Sequence, residues 1–493
     1  MATHLTDGDT RLSLWRRVRE FAVPPAMIET ATARRTAGDW AGACAAAGFD
    51  VDLDLRELAR ARGRDARDRI RADLRRLAPD LLRWHLPRIA PDGLLRPGLT
   101  MPLARHDTGE GPLCLVVRTP PAWADAGQRI SLALWDGTLS DPAARGHPHP
   151  HPSRRFRFDL HRHLWDATAA GELRTRSGAD RPTGGERLPF GSRLPIKEGE
   201  LCATERWADE ARIVLGAEGR AGGTVVVRLG GGQRLALRIA ADGSVTVDRH
   251  NADRHNVARH NVARHNADRD AGDRHNVARD AGDRHTADRD AAAGARLVLP
   301  DAATWILPDL ELLRAGLVDA GRLHPLVAAA LVPGHASAAR DAYPDPARQP
   351  GVVECRGVPH RIGLVDGVLS ALDHSPDELR REELLVALGG PPLPCLRAVD
   401  DAHRRPDCLT GVRERLDHGD TAGALAVVEG LLGPEAVLRD GPLKDALEAA
   451  AQRRIAYGLY RAGLVGSRPG PIRTRRHRSA RDPRPGPRSA NRR

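Results

Sequence analysis

The stretch VVECRGVPHRIGLVDGVLSALDH, residues 352–374, decides the β part of the fold. Short runs of Val, Ile and Leu are separated by turn residues, as in antiparallel strands. Between two of these runs lies Asp366-Gly367, a dipeptide typical of a two-residue hairpin turn. The pattern predicts a small β-meander.

The next stretch, SPDELRREELLVALGG, has the signature of a helix start. Ser375 is the expected N-cap, Pro376 the first helical residue and Glu378 the partner in a capping box. Gly389 is expected to end the helix. With helical regions predicted at both ends of the chain and β-rich segments between them, the sequence predicts an α+β multidomain fold.

The N-terminal region, residues 1–92, is also predicted to be helical. In RDARDRIRADLRRLAPDLLRWHL, apolar residues recur at steps of three and four, which makes one apolar stripe on a helix. These residues are Ile70, Leu74, Leu77, Leu81 and Trp84. Because Pro79 cannot continue a helix without strain, we expect a break near Ala78.

Residues 93–310 predict a mostly antiparallel β domain. Runs such as LCLVVRTP, RISLALWDG, RFRFDLHRHLW and ARIVLGAEG are short, rich in β-formers and bounded by Gly or Pro. The segment VVVRLGGGQRLALRI predicts a hairpin through Gly230, Gly231 and Gly232.

A tandem repeat interrupts this domain at residues 248–292. It contains nine pentads, each with Arg in second place, and their only apolar side chains are Ala and Val. Such a segment cannot bury enough apolar surface to offset its ordering entropy, so we interpret it as a disordered insert. The alternative is metal binding by its six histidines. These are His250, His255, His260, His265, His275 and His285.

The remaining chain divides by composition. Residues 311–335 predict a helical segment, 336–350 a Pro-rich linker, 351–374 the meander, and 375–466 a second helical region. Gly38-Asp39 and Gly419-Asp420 each precede an Ala-Gly-Ala run. In both places the pattern predicts a helix stop followed by an Asp cap.

Residues 467–493 form a basic tail that is predicted to be disordered. The net charge is +11, and ten Arg and one Asp in the tail contribute +9 of it. The tail is therefore a candidate for nucleic-acid binding, without sequence preference because no aromatic residue is available for stacking. The candidate contacts are Arg473, Arg475, Arg476, Arg478 and Arg481.

Several enzyme classes are excluded. Lys197 and Lys444 are the only lysines, and neither lies in a P-loop or kinase context. HExxH and GxSxG are absent. The six cysteines include no CxxC pair, which favours free thiols in a reducing compartment. With no signal pattern and no long apolar run, we expect a cytoplasmic protein without membrane contact.

One set of candidate metal ligands lies in the β domain. If RFRFDLHRHLW is a strand, Asp159, His161 and His163 share one face and form a candidate site for a divalent metal. A divalent metal is thus an open alternative and no cofactor is predicted. The other interpretation of these residues is the exposed polar face of a half-buried strand.

Two further polar clusters lie in the C-terminal half. Glu354, Cys355 and His360 suggest a cysteine nucleophile with a nearby base. Cys395, His403 and Cys408 suggest three zinc ligands without a fourth, at a spacing that matches no common site.

Across most of its length the chain resembles uncharacterised proteins encoded in high-G+C actinobacterial genomes. The stretches that carry the resemblance are FAVPPAMIETATARRTAGDWAGACAAA, RTPPAWADAGQRISLALWDG and HRRPDCLTGVRERLDHGDTAGALAVVEGLLG. The resemblance implies no fold or activity and transfers no functional residues.

The sequence thus favours a non-enzymatic interaction or regulatory protein that binds an unidentified protein partner. The first alternative is an enzyme with its site in the β domain, working either with or without a bound metal. The second is an unspecific nucleic-acid binder that acts through the Arg-rich tail.

Overall fold

A computed structural model describes residues 7–109, 111–124, 128–138, 146–180, 202–229, 233–249, 297–335 and 351–464. The five tail arginines, the linker and nearly all of the repeat block lie outside these ranges, so the predictions made for them stay predictions. The described chain is α+β, as predicted, with helices at both ends and mostly antiparallel sheets between them.

Five helices precede the first long strands. They are α1 (Asp7–Phe21), α2 (Pro25–Thr36), α3 (Trp40–Ala46), α4 (Leu55–Arg76) and α5 (Pro79–His85). The predicted break is confirmed, because Ala78 is extended and precedes α5. The whole apolar stripe from Ile70 to Trp84 is buried.

The first sheet contains β1 (Phe49–Asp52), β2 (Thr100–Thr108), β3 (Gly111–Arg118) and β4 (Ile130–Trp135), in the order β1-β4-β3-β2. Strands β2, β3 and β4 are antiparallel, and β1 joins β4 in parallel. The N-terminal helices pack against this sheet in one core. The same core takes in α9 (Pro308–Arg314) and α10 (Pro325–Leu331).

The second sheet has its own core. It contains β5 (Gly223–Arg228), β6 (Arg234–Ile239), β7 (Val245–Arg249) and β8 (Leu297–Val298), in the order β7-β6-β5-β8. The predicted pairing of β5 with β6 is confirmed, although its three turn glycines lie outside the described residues. The strands predicted on either side of the repeat block are β7 and β8, on opposite edges of the sheet.

Two predicted strands are wrong. RFRFDLHRHLW forms two consecutive 3₁₀ helices, Phe158–Leu160 and Arg162–Leu164. ARIVLGAEG belongs to α7 (Trp207–Ala217), whose buried residues Trp207, Ala211 and Val214 recur at steps of four and three. That helical period extends N-terminally of the apolar run, and burial along it outweighs the β propensity of Ile and Val. Short helices α6 (Leu173–Ser177) and α8 (Asp301–Thr304) complete this region.

The C-terminal part begins with the predicted meander, β9 (Gly351–Cys355), β10 (Val358–Val365) and β11 (Val368–Ala371). Asp366 and Gly367 both have positive φ, as the predicted turn requires. Five helices follow: α11 (Pro376–Ala387), α12 (Pro394–Arg404), α13 (Leu409–His418), α14 (Thr421–Leu432) and α15 (Pro442–Arg461).

The predicted helix caps are confirmed. Ser375 accepts the backbone N–H of Glu378 at 3.2 Å. Asp39 and Asp420 accept the N–H of the glycine three residues on, at 2.8 and 2.9 Å. None of the described helices is both long and apolar enough to span a bilayer.

Candidate metal centre

Four side chains of the C-terminal part converge on one point. The ligand atoms of Cys355, His360, His374 and Cys395 all lie within 4.8 Å of one another. No other group of three or more His, Cys, Asp or Glu converges in this way within the described ranges. Two thiols and two imidazoles are a ligand set typical of structural zinc.

The first hairpin of the meander places one Cys and one His. Arg356 and Gly357 have positive φ and reverse the chain within two residues. The register sets Cys355 opposite Val358 and Val353 opposite His360. Because alternate residues of a strand share a face, Cys355 lies on the face of Val353, and so does His360. Glu354 points to the opposite, exposed face.

The other two ligands come from the segments on either side of α11. His374 directly precedes the N-cap Ser375. The segment before it is fixed to β10, since Arg361 donates its backbone N–H to the Asp373 carboxylate at 2.6 Å. Cys395 lies in the first turn of α12, just after Pro394. The site therefore ties the meander to two helices.

The distances fit a small tetrahedral ion. Cys395 Sγ lies 3.8 Å from His360 Nδ1 and 3.6 Å from His374 Nε2. Zinc bonds of about 2.0 to 2.3 Å give tetrahedral edges of roughly 3.3 to 3.8 Å. The two ring nitrogens are 2.8 Å apart, a hydrogen-bond distance. They would need to separate by only about 0.5 Å to share an ion.

The chemistry of Cys395 also suits a metal ligand. Burial, and then the neighbouring Cys355 thiol, raise the pKa of Cys395 to about 11. A metal ion must therefore displace its proton, and an isolated nucleophilic thiolate is disfavoured near neutral pH. The free N–H groups at the start of α12 favour negative charge on the sulfur once an ion is bound.

A carboxylate stands behind one of the imidazoles. Glu378 Oε2 lies 3.4 Å from His374 Nδ1, on the side of the ring away from the cluster atom Nε2. Only 4% of the His374 side chain is exposed. Carboxylates in this position orient a ligating imidazole and raise its basicity. Glu378 thus has two roles, because its backbone N–H also donates the capping hydrogen bond to Ser375 Oγ.

The meander, α11 and the start of α12 enclose a small apolar core next to the four ligands. Its core cluster contains Cys355, Ala371, Leu393 and Cys395, so two of the four buried residues are candidate ligands. Helix α11 buries no residue. Leu369 of β11 and Ala402 of α12 also pack against the neighbouring core of the C-terminal helices. A bound metal would therefore mainly stabilise the small core beside the site, as metals do in many small natural domains.

The metal candidates predicted in the β domain are arranged differently. Instead of lining a strand, Asp159, His161 and His163 lie in the two 3₁₀ helices. Asp159 is held by the guanidinium of Arg157, at 2.9 Å, and by that of Arg105. The rings of His161 and His163 are near each other, with centroids 5.6 Å apart. The three residues do not gather as a ligand group.

Each of the two C-terminal clusters contributes some of its residues to the converging group. From the first cluster, Cys355 and His360 belong to the converging group and Glu354 does not. Cys395 joins them, whereas His403 and Cys408 do not. The spacing C-x4-H-x13-H-x20-C combines residues from both clusters with His374. One sequence feature could have identified the group. Cys355 and His360 lie in the predicted meander, and His374 directly precedes the predicted N-cap Ser375.

Comparisons of the chain with protein-family models, curated proteins and solved structures gave no match.

Proposed function

We propose that this protein binds one zinc ion through Cys355, His360, His374 and Cys395, and that the ion is structural. The convergence of the four side chains carries this proposal. Four protein ligands close a tetrahedral site and leave no position for substrate or water, unlike catalytic zinc. Zinc chemistry on a substrate is therefore not expected at this centre.

The proposal predicts about one zinc per chain in the purified full-length protein, measured by elemental analysis without a polyhistidine tag. Cobalt substitution should give thiolate-to-metal charge-transfer absorption, which the thiol-free repeat block cannot produce. The Cys408→Ser variant is the matched control and should keep both signals. A metal-free protein with a Cys355–Cys395 disulfide would contradict the proposal.

We further propose that the zinc-bound segment presents a contact surface for a different protein, in line with the interaction function that the sequence favours. Helix α11 has no buried residue. Leu384 on the helix and Leu388, its C-cap one turn later, expose 61% and 86% of their surface. Large apolar side chains exposed on one helix face are typical of protein contacts. The ion would fix the angle at which the helix is presented.

A photo-crosslinking amino acid at position 388 is expected to give one discrete heterologous adduct in cells. Position 437 is the matched control, because Val437 is also 86% exposed but lies outside this segment. The Cys395→Ser change should abolish the adduct at 388. Equal labelling at both positions, or adducts only with a second copy of the chain, would contradict a specific protein partner.

A further inference from the structure

A cavity of about 490 Å³ lies where the first core meets the second. Its wall combines parts of α1, the end of α5, the two 3₁₀ helices, α6 and the segment from α8 to α9. Ligand sites in proteins commonly have this volume and lie between packed units. The cavity is separate from the candidate metal centre, since it contains none of the four ligands.

The polar side chains of the wall are strongly cationic. Among the described residues, seven arginines and three histidines line the cavity, against one carboxylate, that of Asp301. Several arginines are held by carboxylates that do not line the cavity, as in the pair of Arg176 with Glu210 at 2.6 Å. Arg11 pairs with Glu311, and burial raises the pKa of Glu311 to about 7. Near neutral pH this carboxyl is therefore only partly ionised and compensates only part of the Arg11 charge. The wall itself therefore presents many more N–H donors than acceptors, which suits a ligand that carries anionic acceptor oxygens.

Three imidazole nitrogens of this wall, on His85 and His163, have no hydrogen-bond partner among the described residues. Neither ring nitrogen of His85 is hydrogen-bonded there, and neither is Nδ1 of His163, a side chain that is 4% exposed. Proteins rarely leave buried polar atoms unsatisfied, because each costs about 1–3 kcal/mol. Three such nitrogens on two residues that line one cavity indicate groups kept for a ligand.

The rest of the wall is aromatic and apolar. It includes Trp15, Trp84, Trp305, Phe156 and Phe158. The Arg19 guanidinium stacks over Trp84 at 4.4 Å, and that of Arg155 over Phe156 at 5.1 Å. Such walls accept a flat apolar group, while the imidazoles and arginines accept its charged end.

We infer that the cavity binds a small organic anion with a planar apolar part, such as an aromatic carboxylate or an aryl phosphate. His85 and His163 would donate hydrogen bonds to the anionic group. Burial lowers the pKa of both imidazoles, so they would act as neutral N–H donors near neutral pH.

The test uses the full-length protein with 8-anilino-1-naphthalenesulfonate, followed by fluorescence titration. The probe should bind with 1:1 stoichiometry, and the uncharged analogue N-phenyl-1-naphthylamine at least about tenfold more weakly, which is one lost charge-assisted contact. Equal affinity for both probes would overturn the inference, and so would no binding at all.

Two variants separate this cavity from apolar surfaces elsewhere. His85→Leu removes no hydrogen bond to a described residue, so it should fold normally, weaken the sulfonate about tenfold and leave the neutral analogue unchanged. Ala302→Trp places an indole at the exposed edge of the cavity and should block the sulfonate. Ala315→Trp, at an exposed alanine that does not line it, is the control. Unchanged sulfonate binding in both His85→Leu and Ala302→Trp would overturn the inference.

Discussion

Replacing Cys395 by serine is expected to remove the zinc and to unfold the meander together with α11, while the two upstream cores stay folded. The core cluster between the meander and the start of α12 has four buried residues, and Cys355 and Cys395 are two of them. Structural zinc contributes on the order of 10 kcal/mol to folding in small metal-dependent domains. Even about 4 kcal/mol of this would lower amide protection in β10 about 10³-fold.

Hydrogen exchange measured by mass spectrometry reports this region by region. Protection in β2, β3 and β4 should be the same in the variant and the wild-type protein, since these strands belong to a different core. Cys408→Ser again serves as the matched control, and a chelator added to the wild-type protein should reproduce the effect of Cys395→Ser. Full protection of β10 in a zinc-free variant would show that the ion does not organise this segment.

Replacing Asp309 by alanine is expected to destabilise the N-terminal core by about 3–5 kcal/mol, because it leaves a buried guanidinium without its counterion. Arg19 donates two hydrogen bonds to Asp309, at 2.8 and 2.7 Å, and the indole N–H of Trp84 donates a third at 3.0 Å. Both partners of the pair are buried. This contact joins α1, α5 and α9.

The double variant Arg19→Met/Asp309→Leu distinguishes an unpaired charge from lost packing. Apolar replacements of similar volume remove both charges, and they often restore or exceed the original stability. Denaturant unfolding followed by tryptophan fluorescence should therefore show the double variant closer to wild type than Asp309→Ala. As an exposed comparison, Asp209→Ala breaks a surface pair with Arg212 and should change little. A double variant as unstable as the single one would contradict this account of the pair.

Local features of the fold were predictable from short stretches of sequence. Ser375 and Asp420 were recognised as helix caps, and Asp366-Gly367 as a hairpin turn, because each depends on residues within a few positions. The two wrong strands show the limit of this approach. In the 3₁₀ segment, Trp165 is fully buried and donates its indole N–H to the carbonyl of Phe158 at 2.9 Å. Such a contact within a folded loop leaves no periodic trace in the sequence.

The candidate metal centre was predicted only in fragments. Sequence pattern indicates Cys355, His360 and Cys395 as functional candidates, but in two separate clusters, and it does not indicate His374. Sequence alone does not show that these segments fold next to one another, since 13 residues separate His360 from His374 and 20 more separate His374 from Cys395. A pattern with such long gaps matches no short motif.

The sequence by itself determined the α+β class, the hairpin at Asp366 and the helix caps, because capping and turn formation are decided by backbone conformations and hydrogen bonds among neighbouring residues. Only the tertiary structure decided which four side chains meet at the candidate zinc centre and which arginines and histidines face the cavity. Both sites join segments that are far apart in the chain. Their composition is fixed by how the helices and sheets pack, since packing alone determines which distant side chains share a buried volume.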